Sequence, residues 1–240
     1  MAGFFTDAAE AYFERVNQAP TAEALAELIA DEIGQIGLSN FVIYQKAFSG
    51  SEYTASNYPV AWTEKYTREG YADIDPVFKL IRRNQRGFRW TEDLLDQQLT
   101  LTTKERSMFE DAKSFGLAEG YTFVFHGFGS HITFVSFCTD KTTAEPEVMR
   151  TASVIADAAH HRFGELQREA REEDGLVLTK REKECMYWAI QGKTDWEIGR
   201  ILSIKQSTVH SHLENAKDKL GVANRVQAVI KCMDYGIVTP

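Results

Sequence analysis

Between residues 57 and 90 the chain concentrates Tyr58, Trp62, Tyr66, Tyr71, Asp75 and Trp90, an array of polar-tipped aromatic side chains with one acid among them. Tyr58, Trp62 and Tyr66 recur at every fourth residue and therefore share one side of a helix. Phenol and indole groups donate hydrogen bonds and a carboxylate accepts them, so the set could hold a small amphipathic ligand carrying carbonyl oxygens and an N–H. The same residues could equally form an aromatic core with internally satisfied tips. In that case Asp75 before Pro76 is a helix N-cap with proline in the first turn. A second array lies near the C-terminus. At about 100° per residue, Ser207, His210, Ser211 and Glu214 cluster away from the apolar stripe of Val209, Leu213, Ala216 and Leu220. A helix with such an outer face could read DNA, or could belong to a small bundle that docks on a protein.

Covalent chemistry finds no comparable support. The string Gly127-Phe128-Gly129-Ser130 lacks the Gly-x-Ser-x-Gly form of a hydrolase nucleophile elbow and reads as a hairpin turn. A phosphoacceptor receiver domain needs acids at strand ends and alternating βα units, and neither is present. Cys138, Cys185 and Cys232 are odd in number and lack metal-type spacing, which fits small buried hydrophobes in a reducing compartment. His160 and His161 are adjacent, and His126 and His131 flank a turn, so the histidines make no ligand set. The expectation is a protein that is not an enzyme and needs no metal or cofactor.

The elements that must position the C-terminal array follow from capping. Thr179 with Glu182, and Thr194 with Glu197, are capping boxes that start helices near 180 and 195. A third helix runs from about 205 to 220, where Gly221 stops it, and a fourth starts at Asn224, buries Val226, Val229, Ile230 and Met233, and ends at Gly236. A short helix, a tight turn and a second helix with a polar outer face is the helix-turn-helix arrangement.

Upstream, amphipathic patterns predict helices over 5–18 and 21–36, then strands over 41–48 and 53–56 joined by the turn at 49–51. Helices are expected from Pro59 to about 69, from Pro76 to about 84, over 103–115 and over about 144–168. Strands 120–126 and 131–138 carry bulky apolar groups on both faces, with Tyr121, Phe123 and Phe125 on one face and Ile132, Phe134 and Ser136 on one face of the other. A sheet covered on both sides fits this pattern. The expected fold is α+β: an N-terminal α/β/α sandwich on an antiparallel sheet, over residues 1–168, then a charged linker over 169–175 and an all-α helix-turn-helix domain of four helices over 176–240.

A chain of 240 residues can hold two such domains, and its formal charge of −8 divides unevenly. Residues 174–240 carry 10 Lys and Arg against 8 Asp and Glu, whereas residues 1–173 carry 17 against 27. A weakly basic module binds DNA poorly alone, because each phosphate contact adds only a salt-sensitive increment, so two modules are expected to act as a homodimer. No early segment is apolar enough for a signal peptide or a membrane span, which gives the expectation of a cytoplasmic location without membrane contact.

The runs LTKREKECMYWAIQGKT, EIGRIL, STVHSHLENAKDKLGV and NRVQAV resemble the C-terminal DNA-binding domain of LuxR-type transcription factors over its whole length. The family's usual Glu, Leu and Gly fall on Glu182, Met186 and Gly192, the middle one a volume-conserving departure. Lys205 departs from the common Ser cap of the recognition helix; it cannot cap and its charge opposes the helix dipole, but it could reach a phosphate.

The ligand-domain signature of the LuxR-type receptors for N-acyl-homoserine lactones is matched by Trp62, Tyr66, Asp75-Pro76, Trp90 and Gly120, in order and at similar spacing. The resemblance implies that Trp62 donates to the lactone carbonyl, Asp75 accepts the amide N–H and Tyr58 donates to the acyl carbonyl, with Ser136 near the amide. Trp90, Phe109 and Ala112 would pack around the lactone ring and Tyr66 along the start of the acyl chain. The implied function is a quorum-sensing regulator that answers to such a lactone and binds a pseudo-palindromic operator in double-stranded DNA, with RNA polymerase as a further partner. Lys205, Thr208 and Lys219 would contact phosphates, and Ser207, His210 and Glu214 would reach base edges. The alternative is a regulator of the same fold that answers to a different small molecule or to none.

Overall fold

The computed structural model describes residues 12–46, 52–83, 87–126, 132–140, 146–173 and 177–238. The expected first helix before residue 12, the turns at 49–51 and 127–130, and the start of the helix expected at 144 lie outside these residues. The chain divides into two compact units, one holding the sheet and the other the last four helices.

The first unit opens with α1, described over 12–17, and α2 (Ala22–Gln35), whose N-cap Thr21 accepts a hydrogen bond from the Ala24 N–H at 3.2 Å. Strands β1 (Asn40–Lys46) and β2 (Glu52–Ser56) follow, then α3 (Val60–Arg68), a 3₁₀ turn (Tyr71–Asp73) and α4 (Pro76–Ile81). Two elements missing from the sequence reading come next, strand β3 (Phe88–Thr91) and α5 (Glu92–Leu99). Helix α6 (Thr103–Ser114) starts with a capping box formed by Thr102 and Glu105. Strands β4 (Glu119–His126) and β5 (Ile132–Thr139) lead into α7 (Pro146–Glu173). Residues 169–173, expected as linker, are therefore helical, because the charged run continues the period of α7 rather than breaking it.

The five strands lie in the order β2-β1-β5-β4-β3, with β3–β4 and β4–β5 antiparallel. The register pairs Tyr121 with Phe137, Thr122 with Ser136 and Val124 with Phe134. One face, bearing Phe41, Ile43, Tyr121, Phe123, Val135 and Phe137, packs on Leu25, Ile29 and Ile33 of α2 and on Ile155, Ala159 and Phe163 of α7. The other face meets α3 to α6 through Trp62, Leu80, Trp90, Leu95, Phe109 and Cys138. Strands covered on both sides read as nearly continuous apolar runs, which is what β4 and β5 show.

The second unit contains α8 (Lys180–Ile190), α9 (Asp195–Leu202), α10 (Gln206–Leu220) and α11 (Arg225–Asp234). Both expected capping boxes form, Thr179 with Glu182 and Thr194 with Glu197. Val209, Leu213, Ala216 and Leu220 are buried as their spacing requires, and Gly221 ends α10 at φ 62°. One expectation fails on α11. Val226 is 66% exposed, and the buried positions are Ala228, Cys232 and Asp234. Packing on α8 and α10 buries the side bearing Ala228 and Cys232, four apart, while Val229 packs at their margin. Among the described residues no helix is long and apolar enough to cross a membrane.

Candidate functional site

On the face of the sheet covered by α3 to α6, Tyr58, Trp62, Tyr66, Trp90, Phe109 and Ala112 share one cluster, and Asp75 joins it through Tyr66. The carboxylate caps α4, with Oδ1 accepting from the Val77 N–H at 2.8 Å and Pro76 in the first turn. Its Oδ2 accepts from the Tyr66 hydroxyl at 2.9 Å. Asp75 is thus a structural cap that also holds the Tyr66 hydroxyl through its second oxygen. Part of the residue reaches solvent, yet desolvation of its carboxyl dominates and raises its pKa to about 6 against the opposing hydrogen bonds from Tyr66 and the α4 backbone. Burial likewise pushes the Tyr66 hydroxyl far above its ordinary range, with the neighbouring Asp75 charge adding to the effect.

Trp62 is 5% exposed and packs edge-on against Tyr66, with its ring also near Tyr71 and Phe115. Its indole N–H makes no hydrogen bond among the described residues. Tyr58 and Cys138 lie 2.9 Å apart through Oη and Sγ, a contact that the sequence reading did not foresee. Burial is the main reason that both groups titrate high, the Cys138 thiol at about 12. Trp90 packs against Phe109, and Ala112 lies buried on the same helix. The Trp90 indole N–H donates to Thr122 Oγ1 at 3.1 Å, and Thr122 in turn hydrogen-bonds Ser136 Oγ at 2.8 Å. Gly120 makes this packing possible: a Cβ there would stand 2.3 Å from the Phe137 carbonyl oxygen and 2.7 Å from the Trp90 ring. Thr122 and Cys138 are members of this cluster whose contacts the spacing did not bring forward. Their signal was period-2 alternation, since 122 lies on the same face of β4 as 120 and 124, and 138 follows 136 on that face of β5.

In the helical unit the turn between α9 and α10 is tight. Gly199 lies against the chain, where a Cβ would be 2.8 Å from the Ile204 carbonyl oxygen, and Ser203 adopts a left-handed φ of 55°. Lys205 occupies the N-cap of α10 and makes no side-chain cap bond, as its chemistry requires. Ser207, Thr208, His210 and Lys219 are exposed, and Glu214 is half-buried. The Ser211 hydroxyl turns back to the Ser207 carbonyl at 3.0 Å.

Glu214 is more committed than its spacing suggested. Lys217 Nζ lies 2.9 and 2.7 Å from its two oxygens, which holds its carboxyl below the usual range. With His210, Lys217, Asp195 and Arg225 it rims a hollow floored by Met186, Leu213 and Ala228. Asp195 joins α9 to its neighbours, with Oδ1 accepting from Arg225 and Oδ2 lying 3.4 Å from His210 Nδ1. Lys219 reaches back to Glu182 at 2.8 Å, closing α10 onto the capping box of α8. Desolvation raises the Glu182 pKa, but the bonds from Lys219 and Thr179 outweigh it and leave the carboxyl below its ordinary value.

Residues 21–163 match the Autoinducer binding domain family, and residues 176–232 match the bacterial regulatory proteins of the luxR family. The transcriptional activator protein VanR of Vibrio anguillarum is 32% identical over 221 residues, covering 90% of this chain and 88% of its own. The chain belongs to the LuxR family. It joins an autoinducer-binding domain to a DNA-binding helix-turn-helix domain, and is a transcriptional regulator of that type. The transcriptional activator protein EchR of Dickeya chrysanthemi is 30% identical over 198 residues, 77% of this chain and 78% of its own. Among solved structures, SdiA of Escherichia coli shares the fold with a TM-score of 0.76 at 24% identity, over 98% of this chain and all of its own. SdiA has also been solved in complex with octanoyl-rac-glycerol, a structure that matches with a TM-score of 0.77 at 23% identity, over 97% of this chain and 96% of its own.

Proposed function

We propose that this LuxR-family regulator senses an N-acyl-homoserine lactone and, as a homodimer in the cytoplasm, controls quorum-sensing genes from a pseudo-palindromic operator. The observation that carries the reading is the aromatic cluster of Trp62, Tyr66 and Asp75, in which Tyr66 packs against Trp62 and donates to the Asp75 carboxylate while the Trp62 indole N–H has no partner among the described residues. A ligand with one N–H and separated carbonyls supplies the acceptor that the indole lacks, and its N–H can use the remaining acceptor capacity of the carboxylate, which takes one bond at each oxygen. Asp75 accepts the amide N–H, Trp62 donates to the lactone carbonyl and Tyr58 donates to the acyl carbonyl, while Ser136 lies near the amide. Trp90, Phe109 and Ala112 enclose the ring, and Tyr66 flanks the acyl chain. Two α10 helices, brought together by the dimer, enter successive major grooves about 34 Å apart. Lys205, Thr208 and Lys219 contact phosphates, Ser207, His210 and Glu214 face the bases, and RNA polymerase is the downstream partner.

A second reading follows from the acylglycerol seen with SdiA, an acyl ligand that has no amide. Operator binding measured by fluorescence anisotropy, with and without a chain-length panel of lactones and with octanoyl-glycerol, separates the two. The lactone reading expects tighter operator binding with at least one lactone. A response to the acylglycerol alone, or to neither class, overturns it.

A further inference from the structure

Of the polar-tipped aromatic side chains between residues 57 and 90, Tyr71 alone has no part in the lactone reading. It is nevertheless 6% exposed and closes a triangle of rings: the centroids lie 5.6 Å apart for Trp62 and Tyr66, 6.0 Å for Trp62 and Tyr71, and 5.9 Å for Tyr66 and Tyr71. Two of the three polar tips are tied down by carboxylates. Tyr66 donates to Asp75 Oδ2 at 2.9 Å, and Tyr71 donates to Asp111 Oδ2 at 2.5 Å. The third tip, the Trp62 N–H, is the one without a partner among the described residues. Asp111 stands on α6, whose C-cap Phe115 places its ring 5.7 Å from Trp62. The other Asp111 oxygen pairs with Lys65 Nζ at 2.7 Å, and Lys65 is three residues beyond Trp62 on α3. The carboxylate is therefore held from the same helix that carries the indole.

We propose that Tyr71 and Asp111 are positioning residues for ligand recognition: the Asp111 carboxylate holds the Tyr71 ring against the Trp62 indole, so that the indole keeps the orientation in which its N–H meets the lactone carbonyl. The inference deepens the lactone reading above and rests on it, since that reading supplies the acceptor. Its physical basis is that a close-packed interior passes on small displacements, while a hydrogen bond weakens steeply once donor and acceptor leave their line. A Tyr71 ring freed from Asp111 no longer fixes its neighbour. Phenylalanine at 71 would fill the same space, so packing alone gives no reason for the phenol or for the acid on α6 that receives it.

The test is calorimetric titration of the full chain with two probes: the tightest-binding N-acyl-homoserine lactone of a chain-length panel, and the N-acyl-3-aminotetrahydrofuran of the same acyl chain, in which a methylene replaces the lactone carbonyl. Tyr71→Phe should weaken lactone binding about fivefold, the low end of what a compromised buried hydrogen bond costs. The same variant should change binding of the carbonyl-free analogue less than about twofold, because the bond it disturbs is already absent there. Asp111→Ala should repeat this pattern, and Asp111→Asn should keep most of the affinity, since its side-chain oxygen still accepts from Tyr71. Equal losses for the two probes would reduce the contact to a tie between α3 and α6 and overturn the inference, as would unchanged lactone affinity in Tyr71→Phe. Asp111→Asn losing as much as Asp111→Ala would assign the effect to the ion pair with Lys65, which also overturns it. Should Tyr71→Phe fail to fold, Asp111→Ala decides by the same two-probe comparison. Failure of the unsubstituted chain to bind any lactone overturns the lactone reading itself, a result distinct from a lactone that binds wild type and variants alike.

Discussion

Asp75 caps α4 through one carboxylate oxygen and holds the Tyr66 hydroxyl through the other, so the same side chain serves the fold and the proposed site. Asp75→Asn keeps the shape and most of the capping, but turns one acceptor into a donor facing the ligand amide; lactone affinity should fall about ten- to a hundredfold. The elevated pKa adds a pH signature. An acid whose folded pKa exceeds its unfolded value of about 4 favours folding when protonated, and that contribution is lost as pH rises through about 6. The melting temperature of the wild-type chain, measured against Asp75→Asn, should therefore decline between these pH values and level off above them. A constant offset across the range would place the Asp75 carboxyl in solvent. Lactone affinity should move the other way, rising as Asp75 ionises into the better acceptor. Glu214 poses a related question on α10, since Lys217 already neutralises it. If Glu214 accepts from a cytosine amine, Glu214→Ala loses discrimination at one base pair of each half-site in a binding-site selection. The same preferred sequence, bound more tightly, would show that the carboxylate reads nothing and serves only to hold Lys217.

At the scale of elements, helix starts set by capping decide most of the architecture, and the exception is informative. Helix α10 begins at Lys205 with no side-chain cap, whereas α8, α9 and α11 each have one. Supplying the missing oxygen with Lys205→Ser should stabilise the free protein by about 0.5–2 kcal/mol, seen as a higher melting temperature of the helical unit. If Lys205 also reaches a phosphate, the same variant should bind operator more weakly and reduce the salt dependence by about one ion. Higher stability with undiminished DNA binding would assign the lysine no contact. Strand β3 and helix α5 illustrate the opposite case. A four-residue strand carries too short a pattern to be read as a strand, and β3 exists because Arg89 and Trp90 pair across to Tyr121 and Gly120 of β4.

For the molecule as a whole, the residues proposed to hold the ligand lie inside the core: Trp62, Trp90, Phe109 and Ala112 belong to the cluster that joins α3 to α6 with the sheet. A lactone bound there only in the folded state stabilises it by about 2.7 kcal/mol at a hundredfold excess over its dissociation constant. That is a large share of the roughly 5–15 kcal/mol typical of a folded domain. Soluble yield and melting temperature should both rise with the cognate lactone. Identical yields and melting curves with every lactone tested would leave the acyl-lactone reading without support.

The sequence by itself determined what depends on neighbours along the chain. The two capping boxes of the helical unit, the stop at Gly221, the apolar stripe of α10, the opposed faces of β4 and β5 and the cap at Asp75 are all governed by residues within a turn or an alternation of one another. The tertiary structure alone decided what depends on which surfaces meet. Val226 is apolar and in phase with its helix, yet it is exposed because α8 and α10 cover the side bearing Ala228 and Cys232. The pairing of Lys219 with Glu182 spans 37 positions, and that of Tyr58 with Cys138 spans 80. Whether a polar group is spent inside the protein or left for a ligand or a base is fixed by such long-range pairings, which no local period encodes.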